Sequence, residues 1–188
     1  FYRTTSLAHH RNDSRSRSPK YALPVVDVAR RYKEAAPLST KTATEVADAF
    51  ELIYDHSGLR WPQLLQVDHG KEFIGAVTTL MQQHNVKIRR GHTTLHRDQA
   101  VVERFHQTLA QRLFGHQYAQ ELLDKERSRK WVGRLPHVVA ALNNGVTSGI
   151  NMKLVDVIVK KHKSRRKSPG NQLQQPVLGS KVTVRYLY

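Results

Sequence analysis

The chain has 188 residues, 31 Lys+Arg against 15 Asp+Glu, a formal net charge of +16 and no cysteine. That length accommodates one ordinary domain with appendages, and the absence of cysteine rules out disulfides, a Cys nucleophile and any thiolate zinc site. No apolar stretch approaches the roughly 18 residues of a membrane span, so no membrane partner is expected, and the charge points to a polyanion, nucleic acid first.

The first residue is Phe1, and a piece of a longer product is expected. Residues 1–20 carry five basic residues and one acid, and Ser14–Ser18 alternates Ser with Arg and offers nothing to bury. Residues 1–19 are therefore expected to be a basic, disordered end. Tyr21–Val28 is apolar and β-branched, as in a buried strand, with Pro24 requiring an edge or a bulge. A second short strand is expected over Tyr32–Leu38. Thr42 and Glu45 form a T-x-x-E capping box, and Val46, Ala49, Phe50, Ile53 and Tyr54 follow at helical spacing. Leu64–Asp68 is a short apolar strand closing on an acid.

Phe73, Val77, Leu80, Met81 and His84 mark the next helix, Val86–Arg90 a brief strand, and Gly91–Asp98 a polar loop. Val102, Phe105, Leu109 and Leu113 form a helical stripe, with Gln99, Glu103 and Gln107 on a neighbouring face at i, i+4 and i+8. Trp131, Leu135, Val138, Val139 and Leu142 predict a further helix. Lys160–Lys167 is a basic run ahead of Ser168, Pro169 and Gly170, so 161–176 is expected to be a basic linker. Lys181–Tyr188 alternates like a strand. The order of elements predicts an α/β domain with helices packed on a mixed sheet.

Asp68 ends a predicted buried strand and Glu103 lies near the start of a helix. Acids that far apart in sequence can meet if the helix packs beside the strand's end. Their repulsion there is relieved by divalent cations, and magnesium prefers such oxygen donors. Two ions about 4 Å apart can activate a hydroxyl and stabilise the leaving oxygen of an in-line phosphodiester displacement. Taken singly, either acid is more often a solvated cap or turn former.

Together, LLQVDHGKEF and HRDQAVVERFHQTLAQRL resemble the catalytic core of the retroviral-type integrases, and more narrowly the integrases of Maverick/Polinton transposable elements and related retroelements. The resemblance runs from about residue 20 to 160, through YALPVVDVARRYKEA and WVGRLPHVVAALNN. It implies a ribonuclease-H-like fold, an acidic triad whose last two members match Asp68 and Glu103, and Mg²⁺ or Mn²⁺ as cofactor. It also implies DNA as substrate and self-association into a homo-multimer, and nuclear residence is expected from that substrate and the basic run Lys160–Lys167. Gln99 matches a polar position that contacts the DNA end. Arg97, Arg104, Gln107 and Arg112 would flank it, and Lys161, Lys163, Arg165 and Arg166 would grip phosphates.

The pattern breaks at the first acid. The family carries it on an apolar strand before YALPVVDV, whereas this chain reads FYRTTSLAHHRNDSRSRSP. Asp13 stands at a plausible distance without a hydrophobic strand around it, and Arg3 is the closer match if a longer hairpin loop is allowed, so residues 1–19 are expected to be either disordered or a degenerate first-strand segment. An arginine, always protonated, cannot ligate magnesium. Asp27 belongs by register to the following strand. No zinc module can be present without cysteine, and residues 177–188 resemble the opening strand of the small barrel that follows integrase cores. The expected function is integrase-type 3′-end processing and strand transfer, impaired if the first acid is missing. The alternative is a catalytically inactive, integrase-derived DNA-binding protein.

Overall fold

A computed structural model describes residues 18–90, 96–125, 131–147, 151–159 and 181–184. Seven strands and five α-helices follow one another among these residues. Strands β1 (Tyr21–Asp27) and β2 (Lys33–Leu38) form a hairpin, followed by helix α1 (Ala43–His56), β3 (Leu64–Val67), α2 (Ala76–Gln83) and β4 (Lys87–Arg90). The long helix α3 (His96–Asp124), α4 (Trp131–Asn144), the β5 (Val146–Thr147) and β6 (Met152–Lys153) ribbon, α5 (Leu154–Val159) and β7 (Lys181–Val184) complete the order.

The main sheet has the strand order β2-β1-β7-β3-β4. β1 is antiparallel to β2 and to β7, while β3 is parallel to β7 and to β4. Alternation along β1 divides the core in two. Leu23 and Val25 pack with Phe50, Val46, Val77 and Met81 of α1 and α2. Ala22 and Val26 pack with Val102, Phe105, Leu109 and Leu113 of α3 and with Leu135 and Val139 of α4. Both faces of the sheet are therefore dry, which explains the nearly unbroken apolar run that the strand shows in sequence.

Pro24 pairs with Ala35 on β2, and the described β7 ladder begins only at Val25. The missing proline N–H thus falls beyond the two-sided part of the strand. Thr42 caps α1, its hydroxyl accepting from the Glu45 amide. The Glu45 carboxylate reaches further back than a capping box requires, accepting from the amides of Ser39 at 2.5 Å and Thr40 at 2.7 Å. Gly75 opens α2 at φ +63°, a conformation that costs glycine little.

Three expectations change. Helix α3 begins at His96, inside the expected polar loop, and continues through the less periodic stretch to Asp124. Helix α5 was not legible as a helix, since six apolar-rich residues carry too little periodicity. Lys181–Val184, expected to open a separate barrel, is instead the middle strand of the main sheet. Alternation such as KVTV states that a strand forms without stating which sheet receives it.

Candidate functional site

Strand β3 carries Leu64, Leu65, Gln66 and Val67 into the sheet, and Asp68 follows at its C-terminal end. Leu65 and Val67 belong to the core on the α1 and α2 side. Strand alternation therefore turns Gln66 to the opposite face, the one on which α3 packs against β1. Strand β4 runs parallel to β3, and five residues separate its end from α3, so the first turns of α3 start at the same end of the sheet. Val102 is fully buried there and carries the half-buried Glu103 beside it. Asp68 thus follows the end of β3, and Glu103 lies in the early turns of the helix that packs against β1. Both are partly buried and both are engaged with neighbouring groups.

The other predicted positions divide clearly. Gln99 lies in the first turn of α3, while Glu103 and Gln107 share a stripe of it by helical repeat, and Gln107 is exposed. Arg104 and Arg112 are also exposed, turned toward solvent away from the Val102, Phe105 and Leu109 stripe. Arg97 lies in the first turn of α3. Asp13, Lys161, Lys163, Arg165 and Arg166 lie outside the described residues. Arg90 is committed to the fold, its guanidinium donating to the Phe73 carbonyl at 3.3 Å.

Asp27 is a turn former. Its Oδ1 accepts from the amides of Ala29 at 2.8 Å and Arg30 at 3.0 Å, and its Oδ2 pairs with the Arg30 guanidinium at 2.9 Å. Register keeps it away from Asp68. Asp27 pairs with Val182 on β7, and Val182 pairs with Leu65 on β3, three residues before Asp68. At about 3.3 Å per residue the offset is roughly 10 Å along the strands.

Sequence reading missed Gln66. It is 1% exposed, and its Oε1 has no hydrogen-bond partner among the described residues. A polar side chain inside the apolar run LLQV was the available signal, because a buried amide needs partners. Gln66 stands two positions before Asp68.

Two carboxylates suit a divalent cation by donor type. Among the described residues no group of three or more His, Cys, Asp or Glu side chains could hold a metal. The strand between β1 and β3 is the neighbour of β3 on the β1 side that could add a carboxylate, and it reads Lys181-Val182-Thr183-Val184.

Among solved structures, the BIV integrase catalytic core domain superposes with a TM-score of 0.58 at 19% identity, over 74% of this chain and 86% of that one. The chain has the fold of a retroviral integrase catalytic core. The HTLV-2 integrase catalytic core, solved with magnesium in a trimeric form, gives 0.55 at 16% identity, over 76% of this chain and 87% of that one. At these identities the likeness establishes the ribonuclease-H-like integrase-core fold. A transposon-derived protein of Caenorhabditis elegans is 30% identical over 138 residues, which is 73% of this chain and 45% of that protein. The chain thus spans less than half the length of that relative. No protein-family model matches the sequence.

Proposed function

We propose that this chain is an integrase-core protein of transposable-element origin that binds DNA and does not by itself carry out two-metal strand transfer. The observation that carries the reading is the strand in the middle of the sheet. Beside Asp68's strand it brings Lys181–Val184, which has no acid, so the described chain supplies Asp68 and Glu103 and no third carboxylate. Two acids can still hold a single Mg²⁺ or Mn²⁺ ion, which would relieve their mutual repulsion. DNA contact would come from Arg104, Gln107 and Arg112 on the exposed side of α3 and from the basic residues of 1–20 and 160–167. Such contacts bind phosphates without reading sequence. Multimer formation and nuclear residence belong to the same proposal, through the fold's solved trimeric relative and the DNA partner.

The second reading is an active polynucleotidyl transferase. It is favoured by Asp68 at the end of β3 and Glu103 in the early turns of α3, the order of the last two acids of an integrase triad. Incubating the purified chain with short duplex DNA and Mg²⁺ or Mn²⁺ separates the two readings. The expected result is salt-sensitive DNA binding with no joined product. Metal-dependent joining that Asp68→Asn abolishes would replace the proposal with the transferase reading.

A further inference from the structure

The strand order leaves β1 and β3 without a direct hydrogen bond to each other. Among the described residues, every link between the β2-β1 hairpin and the β3-β4 pair within the sheet runs through β7. On one side Val25, Val26 and Asp27 pair with Val184, Thr183 and Val182. On the other, Leu64, Leu65 and Gln66 pair with Lys181, Val182 and Thr183. The walls of this slot are dry: Val25 and Leu65 are 0% exposed, and Val26, Asp27 and Gln66 are 2% exposed or less. Emptied, the slot would leave two facing rows of buried amides and carbonyls without partners, at about 1–3 kcal/mol for each unsatisfied group. Something extended must lie there. The segment that does comes from beyond residue 180, separated by residues 160–180 from the last helix.

We infer that the groove between β1 and β3 is a strand-acceptor site, filled by the chain's own C-terminal strand in the manner of a donor strand. The site recognises an extended peptide running parallel to β3 and antiparallel to β1. Recognition is through main-chain hydrogen bonds, as in strand addition to sheet edges, here with two edges instead of one. Lys181–Val184 serves as the keystone joining two half-sheets. A strand of this kind is held by local register rather than by continuity with its neighbours in sequence, so it can be displaced by an equivalent strand.

The chain contains no cysteine, which makes register directly testable. Thr183 is the shared partner of Val26 and Gln66. Neighbouring strands lie about 4.8 Å apart, within disulfide reach, whereas a two-residue slip adds roughly 7 Å along the strand and exceeds it. The full chain carrying Gln66→Cys with Thr183→Cys, or Val26→Cys with Thr183→Cys, should oxidise to an intramolecular disulfide, seen as a faster monomer on a non-reducing gel. Gln66→Cys with Lys181→Cys should stay reduced. Free thiols in both matched pairs, or a disulfide formed only between copies, would overturn the inference.

Hydrogen exchange on the unsubstituted chain gives an answer even if the buried substitutions disturb folding. The amides of residues 182–184 should be protected to within about tenfold of those of Val25 and Val26. Exchange at unstructured rates would remove β7 from the slot. A labelled peptide of residues 177–188 should bind the Thr183→Pro chain at least ~10-fold more tightly than the unsubstituted one, because proline removes a ladder donor from the resident strand. Equal binding to both would show that the slot is not an acceptor.

Discussion

Asn143 and Lys33, 110 residues apart, are joined by two hydrogen bonds: the Asn143 Oδ1 accepts from the Lys33 amide at 3.0 Å, and its Nδ2 donates to the Lys33 carbonyl at 2.7 Å. Strand β2 is the outer strand of the sheet, and these are main-chain groups on its unpaired side. Asn143, 2% exposed in the last turn of α4, thus mimics one residue of a further strand. It ties α4 to the sheet and blunts an edge open to pairing with another chain. Asn143→Ala should cost about 2–3 kcal/mol, because two buried backbone groups lose their partners. Urea unfolding measures the loss, and light scattering at raised protein concentration should report increased association.

Asp27 supplies the contrast to the candidate site. Its carboxylate accepts two backbone amides of its own turn and pairs with Arg30. It is 2% exposed. Asp27→Ala should lower stability by about 2–3 kcal/mol, since Arg30 and the turn amides lose their acceptor. DNA affinity at a temperature where the variant is folded should stay within about twofold of the unsubstituted chain. A loss of binding tenfold or more in the folded variant would move Asp27 into the functional surface.

The hairpin, the first helix with its Thr42 cap, strand β3 and the buried stripe of α3 all carry local patterns: alternation, caps and helical spacing. They were legible for that reason. Asp68 and Glu103 stood out because one closes a strand pattern and the other lies on a helix pattern, which are local signals. What was not legible is non-local. The sequence KVTV specifies a strand but not the sheet that takes it, so its place between β1 and β3 follows only from tertiary packing. Asn143 gave no signal in sequence, since its partner is the backbone of Lys33, whose side chain plays no part in the contact. Gln66 was hidden by its own run, where one polar residue among four did not change the strand pattern.

Adjacent residues on β2 should give stability an unusual pH profile. Burial holds the Glu34 carboxyl at about 7, up from 4.5, against hydrogen bonds from Tyr32 and the Ala35 backbone that favour its charge. Between those values the folded state keeps a proton that the unfolded chain has released, so stability falls as pH rises from about 4.5 to 7. Burial, with the nearby Arg31 charge, lowers Lys33 from 10.5 to about 8. In that higher window the unfolded chain binds more protons, and stability rises with pH. The two contributions together give a trough between about 7 and 8. Glu34→Gln should flatten the acid limb and raise stability at pH 7.5 on the order of 2 kcal/mol. Urea midpoints at pH 5, 6 and 7.5 test this, and an unchanged slope would show that Glu34 is charged throughout.

The distribution of charge predicts how DNA binding should respond to salt. Residues 160–188 contain eight basic residues and no acid, while residues 21–159 are nearly balanced with 18 basic and 14 acidic. If the basic run grips phosphates, removing one cation that neutralises a phosphate lowers the steepness of log affinity against log salt by about 0.9 on duplex DNA. Replacing Lys161, Lys163, Arg165 and Arg166 together with Gln should therefore reduce the slope by about 3 to 4. Affinity at low salt should fall by a similar factor for every duplex sequence tested, because phosphate-binding side chains position the protein without reading bases. Arg104→Gln and Arg112→Gln, on the exposed side of α3, should each remove about one further unit of slope if that face meets the DNA backbone. A slope unchanged by the four tail substitutions but reduced by the two on α3 would place the whole interface on the core and leave the basic run without a role in binding.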